Sequence, residues 1–370
     1  MNFQTRSNKI KKVKLRMKKK ISIVAAAFLL CTLAFCSQIF ACAKQNTSLN
    51  KKSVTLVSGE KEQLKLNGVK KQNSVTWKSL NKKIVSVSNT GRITAKKNGS
   101  AAIQVSYQGK KYTCQVLVLS KANANYDKEA LTLGKNYYKG FQVDNVFHSK
   151  KNGDIHYNVY FPASYDGKKK AALFVTLPGY QGLYFQGVAE NIKTEDFGFE
   201  AQKYNSRMIV LAPQLEDWGE TSANQTIALV EYFLSHYKID TSKVYVNGYS
   251  GGGETLSLVL GKRPELFTRA LMCSSQWDGK YEPLVKAKTP VYFVIGEKDE
   301  YYGSAPFKKA YKKLHDMYQK QGLSNKEIAG ILVLDVKGSS YFAGTGITYQ
   351  HGGGYLFCRD KKIMGWLFQK

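Results

Sequence analysis

The sequence predicts a mostly parallel β-sheet with helices on both faces, preceded by a small all-β sandwich. Over residues 140–370, buried-type strands alternate with amphipathic helical runs, which is typical of a parallel sheet covered on both sides. Over residues 44–120, short β-rich segments follow one another between turn signals, which is typical of a small sandwich. A chain of 370 residues that is 43% hydrophobic and 22% charged is long enough for both.

The first 43 residues predict an export signal that is not part of the fold. Residues 1–20 carry nine basic and no acidic side chains, residues 21–36 are almost wholly apolar, and Ala41 and Ala43 supply the small side chains that a signal peptidase needs. Two alternatives stay open, a lipoprotein signal with Cys42 acylated and an uncleaved membrane anchor. All three place the rest of the chain outside the cytoplasm, in the medium or at the cell surface.

The net charge of +29 is unevenly distributed. Residues 44–120 hold 15 basic and two acidic side chains, whereas residues 121–370 hold 32 and 25. Outside a cell, a module with a net charge of +13 is expected to attract an anionic cell-wall polymer or membrane surface rather than nucleic acid. A solvated, lysine-rich surface without a partner is the more usual meaning of such a charge run.

Within this basic segment, three runs predict strands. Residues 112–118 alternate so that every second side chain can share one buried face, and residues 74–77 and 84–87 are rich in β-branched and aromatic side chains. Turn signals separate the strands, at residues 67–68, 89–91 and 98–99.

Three segments resemble the bacterial Ig-like domain of group 2: VTWKSLN at 75–81, IVSVSNTGRITA at 84–95 and NGSAAIQVSY at 98–107. The resemblance covers nearly all of residues 48–119. It implies a surface or wall-associated extracellular protein and specifies no ligand. A spacer that holds the next domain away from the wall is as consistent with it as a binding module.

After a predicted linker at residues 121–139, the pattern changes to an alternation of strands and helices that continues to the end of the chain. The clearest amphipathic helical runs are residues 222–237 and 305–321. The predicted strands are residues 156–161, 171–177, 207–212, 243–247, 270–273, 291–295 and 331–335.

The segment VYVNGYSGGGET, residues 244–255, predicts a nucleophile elbow around Ser250. A buried-type strand ends at once in a glycine cluster, and a helical run follows. Small residues at 248 and 252 allow the turn to close so that the serine hydroxyl projects. A phosphate-binding loop is disfavoured, because no Lys-Ser or Lys-Thr pair follows the glycines.

A serine nucleophile needs a base, and the chain has only five histidines. His148 and His156 precede the nucleophile, and His236 and His315 lie in helical runs. His351 follows the last predicted strand in a glycine-rich loop, and the chain order serine, acid, histidine is the order that the elbow motif uses. His351 is therefore the predicted base.

The acid is expected at the end of the strand 291–295, where the sequence offers three carboxylates. Asp299 is the predicted member of the triad, with Glu297 as the alternative, and the remaining acids are expected to be solvated. The predicted oxyanion donors are the backbone amides of Gly251, directly after the nucleophile, and of Tyr180, in the loop after the strand 171–177.

Two aromatic residues follow strand ends and are candidates for the substrate pocket, Trp218 and Trp277. Such rings can stack on a sugar or a phenolic ring, and ordinary packing explains each of them equally well. Outside the export signal the cysteines are Cys114, Cys273 and Cys358, an odd set without metal-ligand spacing, and no metal or organic cofactor is expected.

The motif GYSGG, the strand end GEKD and the late His351 together resemble the α/β-hydrolase family over about residues 140–370. More narrowly, they are similar to secreted feruloyl esterases and polyhydroxybutyrate depolymerases, and to the catalytic domains of prolyl oligopeptidases. One departure is Pro178, which stands where many relatives have a histidine before the oxyanion glycine. That difference concerns the substrate more than the mechanism.

The resemblance implies a secreted or surface-attached serine hydrolase that cleaves a carboxylic ester, with a carbohydrate-linked or polymeric ester as one substrate class. A serine peptidase of the prolyl-oligopeptidase type is one alternative, because the same triad cleaves amides. A second alternative is a non-catalytic surface protein that binds through the basic Ig-like module.

Overall fold

The computed structural model describes residues 47–69 and 74–369. The described residues divide into two units, 47–50 with 66–69, and 51–65 with 74–369. In the first unit, the short strands Ser48–Leu49 (β1) and Leu66–Asn67 (β4) pair antiparallel. The predicted export signal, with its three possible fates, lies outside the described residues. Among the described helices, none is both long and apolar enough to cross a membrane.

The second unit begins with two small sheets in which alternate side chains are buried. The four-stranded sheet has the order β2-β9-β8-β5 and the three-stranded sheet the order β3-β7-β6. On β9, Cys114, Val116 and Val118 are buried, as the alternation of residues 112–118 predicts. The strands are β2 Ser53–Val57, β3 Lys61–Gln63, β5 Thr76–Ser79, β6 Val85–Val87, β7 Arg92–Ala95, β8 Gly99–Tyr107 and β9 Lys110–Leu119.

A larger sheet of ten strands fills the rest of the described chain. Its strands run in the order β10-β12-β13-β15-β14-β16-β17-β18-β19, and β11 also pairs with β12. Pairing is antiparallel as far as β15 and parallel from there on. The strands are β10 Leu131–Thr132, β11 Asn136–Tyr138, β12 Phe141–Ser149, β13 Gly153–Tyr160, β14 Ala171–Leu177, β15 Met208–Pro213, β16 Ile239–Tyr249, β17 Arg269–Cys273, β18 Val291–Gly296 and β19 Leu332–Lys337.

Helices cover both faces of this sheet, which explains why all seven residues of β14 are buried. Alternate residues of β14 enter two separate hydrophobic clusters: Leu173 and Val175 lie in one, Ala172 and Phe174 in the other. Each such fully buried aliphatic or aromatic side chain contributes about 1.5–3 kcal/mol of transfer free energy. The helices are α1 Glu190–Lys193, α2 Phe197–Ala201, α3 Glu220–His236, α4 Gly251–Leu260, α5 Glu282–Ala287, α6 Ala305–Lys320, α7 Asn325–Ile331, α8 Ser339–Phe342, α9 Gly354–Phe357 and α10 Lys361–Leu367.

The strand order reverses at β14, and this reversal positions the site. β14 pairs in parallel with β15 on one side and with β16 on the other. Chains that leave such neighbouring strands turn away in opposite directions, so a crevice opens at the carboxyl ends of the strands. The loops that follow β14, β16 and β18 all begin at this edge.

The predicted strands and the two predicted helices agree with observed ones to within a few residues, and one segment differs. Residues 131–138, assigned above to a linker, contain β10 and β11, which pair with β12. Both strands are too short to show an alternating pattern, and their hydrogen-bonding partner follows later in the chain.

Candidate active site

Ser250 occupies a sharp turn between β16 and α4. Its backbone has φ 53° and ψ −128°, a left-handed conformation that costs a non-glycine residue about 1–3 kcal/mol. The turn closes only because its neighbours are small. A Cβ atom at Gly248 would lie 2.3 Å from the carbonyl oxygen of Gly252, and one at Gly252 would lie 2.4 Å from that of Leu177. The sequence therefore forces the serine hydroxyl out at the edge of the sheet.

His351 connects this serine to a carboxylate. It lies in a 3-10 turn, Gln350–Gly353, after the last strand. Its Nε2 atom is 3.0 Å from Ser250 Oγ, and its Nδ1 atom is 2.9 Å from Asp299 Oδ2. Both His351 and Asp299 are buried. The three predicted triad residues thus form one continuous hydrogen-bonded chain.

Asp299 is placed by backbone amides in the loop after β18. Its Oδ1 atom accepts hydrogen bonds from the N–H groups of Tyr301 and Tyr302, at 3.1 and 2.9 Å. Burial acts to raise the pKa of this carboxyl, but the hydrogen bonds from His351 and Tyr302 outweigh it and hold the pKa below its usual value. The alternative acid, Glu297, is exposed, and the carboxylate that meets His351 is that of Asp299.

Sequence reasoning missed two residues that lock the acid loop to the histidine loop. Glu300, expected to be merely solvated, accepts hydrogen bonds from the backbone amides of Gln350 and His351, each at 2.9 Å. The side-chain oxygen of Gln350 in turn accepts from the backbone N–H of Lys298 at 2.6 Å. The backbone carbonyl of His351 is also held, because the Tyr249 hydroxyl donates to it at 2.6 Å.

The two predicted oxyanion donors belong to segments that adjoin Ser250. Gly251 is the first residue of α4, and Tyr180 follows Gly179 in the loop after β14. A Cβ atom at Gly179 would lie 3.1 Å from Ser250 Cβ, so this loop packs directly against the nucleophile. Among the described residues, neither the amide of Tyr180 nor that of Gly251 donates to a protein acceptor. Both are therefore available to a ligand oxygen.

A cavity of about 360 Å³ opens above the serine and the histidine. Trp218, the predicted pocket residue, lies in its wall. Its ring covers the backbone of Gly251, where a Cβ atom would come within 2.1 Å of it. The other lining residues are mostly aromatic or amide side chains: Tyr180, Gln181, Tyr249, Tyr301, Tyr302 and Tyr349.

Trp277 does not belong to this cavity, which corrects the prediction made from its position after a strand. It is buried in the hydrophobic core, where its ring stacks on Tyr281 and its indole N–H donates to the carbonyl of Gly279 at 2.7 Å. The ring also packs edge-on against Phe293 of β18, so the side chain belongs to the hydrophobic cluster on one face of the sheet.

Tyr302, which lines the cavity, forms a hydrogen-bonded pair with Glu254 of α4 that the sequence did not indicate. The Tyr302 hydroxyl donates to Glu254 Oε1 at 2.7 Å, and burial together with this carboxylate raises the pKa of Tyr302.

Across residues 47–69 and 74–369, no group of three or more histidine, cysteine or acidic side chains is arranged to hold a metal ion. Cys114, Cys273 and Cys358 are free and buried.

A thermostable esterase is among the solved structures to which this chain is similar. It is 16% identical in sequence, the alignment covers 77% of this chain and 76% of that one, and the TM-score is 0.52. The large sheet has the α/β-hydrolase fold. A small Ig-like β region precedes it, since residues 44–116 match the model of the bacterial Ig-like domain (group 2).

Within the α/β-hydrolase region, residues 214–282 match the model of the prolyl oligopeptidase family, and this segment contains Ser250. Other similar structures are oligopeptidase B from Leishmania major (12% identity, 82% of this chain, 45% of that chain, TM-score 0.41) and Est1E from Butyrivibrio proteoclasticus (13%, 54%, 89%, 0.37). No curated protein matches the sequence. The family match supports a serine hydrolase, and the neighbours, esterases and peptidases alike, do not decide between these two activities.

Proposed function

We propose that this protein is a secreted or surface-attached carboxylesterase that works through Ser250, His351 and Asp299. The observation that carries the proposal is the hydrogen-bonded chain from Ser250 Oγ to His351 Nε2 (3.0 Å) and from His351 Nδ1 to Asp299 Oδ2 (2.9 Å). A serine hydroxyl is a weak nucleophile unless an adjacent base accepts its proton, and a triad of this geometry provides that base.

In the proposed reaction Ser250 Oγ attacks the ester carbonyl while His351 Nε2 takes the hydroxyl proton. The carbonyl oxygen becomes an oxyanion and accepts hydrogen bonds from the amides of Tyr180 and Gly251. The tetrahedral intermediate then breaks its bond to the alcohol oxygen, to which His351 returns the proton. Water, deprotonated by His351, attacks the acyl-enzyme in the same way and releases the acid. Asp299 stabilises the imidazolium in both steps.

A bulky ester, carbohydrate-linked or polymeric, is the proposed substrate class. The cavity wall presents hydroxyl groups, one amide and aromatic faces, which suit a neutral ring. Its rim is open, because Tyr180, Tyr301 and Tyr349 are 50%, 78% and 50% exposed. Only α5, with six residues, lies between β17 and β18, so the segment there is too short for a large lid. A peptide is the alternative substrate, and feruloyl esters are among the esters to be compared.

Labelling with a fluorophosphonate tests the mechanism, and a substrate panel tests the substrate class. We expect the purified protein to be labelled and Ser250→Ala to be unlabelled. We expect hydrolysis of short-chain p-nitrophenyl and feruloyl esters to disappear in the same variant. Well-folded wild-type protein that takes no label would refute the triad. Faster cleavage of peptide amides than of any ester would instead favour the peptidase.

The basic Ig-like region is proposed to hold the enzyme on an anionic cell-wall polymer. Lys78, Lys82, Lys83, Lys96 and Lys97 are all exposed, and the charge of this region is strongly positive. Sedimentation with cell walls, before and after chemical removal of their anionic polymer, tests this proposal. We expect binding that weakens with salt and with Lys96→Glu plus Lys97→Glu. Equal binding to stripped walls would contradict it.

The same experiment separates the enzyme from a purely surface-binding protein. Ser250→Ala should bind walls as the wild type does but hydrolyse no ester. If the wild type binds walls and also hydrolyses nothing, the binding function is the better description. Mass spectrometry of the exported protein decides among cleavage near Ala43, a lipid on Cys42 and an uncleaved anchor.

A further inference from the structure

Glu195 supports the loop that carries one of the proposed oxyanion donors, and the sequence did not indicate it. The residue lies between α1 and α2, and its Oε1 atom accepts a hydrogen bond from the backbone N–H of Gly179 at 2.7 Å. The side chain is partly buried as a whole, but its Oε2 atom is buried and has no hydrogen-bond partner among the described residues. A buried carboxyl oxygen without a hydrogen bond lowers the stability of the fold. Such a residue is therefore expected to have a functional role.

The conformation of Gly179 explains why this hydrogen bond affects the catalytic site. Gly179 is extended, with φ −78° and ψ −165°. In an extended chain, successive N–H groups point in opposite directions. Because the N–H of Gly179 points at Glu195, the N–H of Tyr180 points away from it and is left without a protein acceptor. Gly179 itself packs against Ser250, so a rotation of this peptide changes what the nucleophile faces.

We propose that Glu195 is a positioning residue that fixes the loop from Pro178 to Gly182 so that the amide of Tyr180 serves the oxyanion. The inference rests on the proposed esterase function, which it deepens. It gives the carboxyl a role that neither the triad nor the cavity wall requires.

The protonation state of Glu195 makes the proposal testable. Burial raises the pKa of this carboxyl to about 8, and the hydrogen bond from Gly179 opposes the rise only in part. The ionisable neighbours Tyr249, Cys273 and Cys358 stay neutral at that pH, because burial raises the pKa of each. Glu195 is therefore neutral at pH 7. Above pH 8 it gains a buried negative charge close to the developing oxyanion, and this charge opposes the reaction.

Two substitutions separate the hydrogen bond from the charge. Glu195→Gln keeps a carbonyl oxygen for the N–H of Gly179 but never ionises, and Glu195→Leu removes the acceptor. With p-nitrophenyl acetate at pH 7, we expect Glu195→Leu to lower kcat by about 10- to 100-fold, somewhat less than deletion of an oxyanion donor, with little change in KM. Glu195→Gln should stay within about threefold of the wild type and should lack the wild type's loss of kcat/KM above pH 8. Glu190→Leu is the matched control, since Glu190 pairs with Lys193 at the surface.

Hydrogen–deuterium exchange at Gly179 gives a readout that needs no turnover. The amide should exchange slowly in the wild type and in Glu195→Gln, and faster in Glu195→Leu. Equal exchange in all three proteins would overturn the role of Glu195 whatever the activity. An alkaline loss of activity that persists in Glu195→Gln, or an undiminished kcat in Glu195→Leu, would overturn it as well. Failure of the esterase proposal is recognised separately, by a wild type that hydrolyses no ester.

Discussion

Replacement of Asp299 by asparagine is expected to inactivate the protein, because the loop dictates which way the new amide faces. The Oδ1 position receives two backbone N–H groups, from Tyr301 and Tyr302, so an oxygen must occupy it. The amide NH₂ then takes the position of Oδ2, 2.9 Å from His351 Nδ1, and the retained oxygen at Oδ1 lies slightly farther from that nitrogen, at 3.1 Å. Because an NH₂ group only donates, the nearer contact favours an Nδ1 that accepts, with the ring proton on Nε2; the oxygen at Oδ1 already receives two backbone N–H groups. In that tautomer His351 cannot take the proton of Ser250.

The hydrogen bonds in the loop set the size of this effect. Turning the amide round would place NH₂ against two N–H donors and lose two hydrogen bonds of about 0.5–1.5 kcal/mol each. The unproductive tautomer is therefore favoured by about 1–3 kcal/mol, or about 5- to 150-fold. Loss of the negative charge also leaves the imidazolium of the transition state unstabilised. For triads of this kind the combined fall in kcat is on the order of 10⁴.

The assay compares kcat for p-nitrophenyl butyrate at pH 7 in the wild type, Asp299→Asn and Glu297→Gln. Glu297 lies two residues away in the same loop and is exposed, so its substitution should leave kcat unchanged. Thermal unfolding should show that all three proteins fold. If Asp299→Asn keeps more than about a tenth of the wild-type kcat, the tautomer of His351 does not depend on this hydrogen bond, and the reasoning is wrong.

Three further predictions concern the surroundings of the triad. Glu300→Ala should lower kcat about tenfold with little change in KM, because the amides of Gln350 and His351 lose their shared acceptor; Glu297→Ala, assayed alongside, should not. Because the pKa of Asp299 is lowered, its contribution to stability is present above its unfolded value of 3.8 and is lost as the pH falls through the still lower folded value. The free energy of unfolding, measured with urea, should therefore fall more between pH 5 and pH 3 in the wild type than in Asp299→Asn. Trp218→Ala should raise KM for feruloyl esters with little effect on the melting temperature, whereas Trp277→Ala should destabilise the fold by about 3–5 kcal/mol, and calorimetry with steady-state kinetics distinguishes the two.

The parts of the site that the sequence predicts are those fixed by short-range geometry or by strand order. Ser250 follows from the local turn, since the glycines that allow it lie within two residues. His351 and Asp299 follow from where loops leave parallel strands, because the carboxyl ends of such strands meet at one edge. The same reasoning locates Tyr180 at the end of β14. Each inference requires only knowledge of which strands are adjacent in the sheet, and none of how side chains pack.

The parts that the sequence does not predict depend on how two loops meet. Glu297, Asp299 and Glu300 are three carboxylates within four residues, and only the position of the histidine loop gives them different roles. Trp218 and Trp277 both follow strand ends, but the side chain of Trp218 lines the cavity and that of Trp277 lies in the hydrophobic core. Residues 131–138 look like a linker because strands of two or three residues have no period to detect. In all these cases the deciding contact is distant in the sequence.

Glu195 and Glu300 perform the same task under opposite conditions. Each carboxyl receives a backbone amide of a catalytic loop, that of Gly179 or that of His351. Desolvation acts to raise the pKa of Glu300, but such hydrogen bonds outweigh it and lower the pKa. The attraction between the Glu300 carboxylate and the backbone N–H groups is therefore lost only as the pH falls below 4.5, the ordinary pKa of a glutamate. The pKa of Glu195 is raised to about 8, so its charge becomes unfavourable only at alkaline pH. Between these limits both loops are held. We expect the double variant Glu195→Gln, Glu300→Gln to lose less kcat/KM above pH 8, and less free energy of unfolding below pH 4.5, than the wild type. Equal losses in the two proteins would show that neither carboxyl sets these limits.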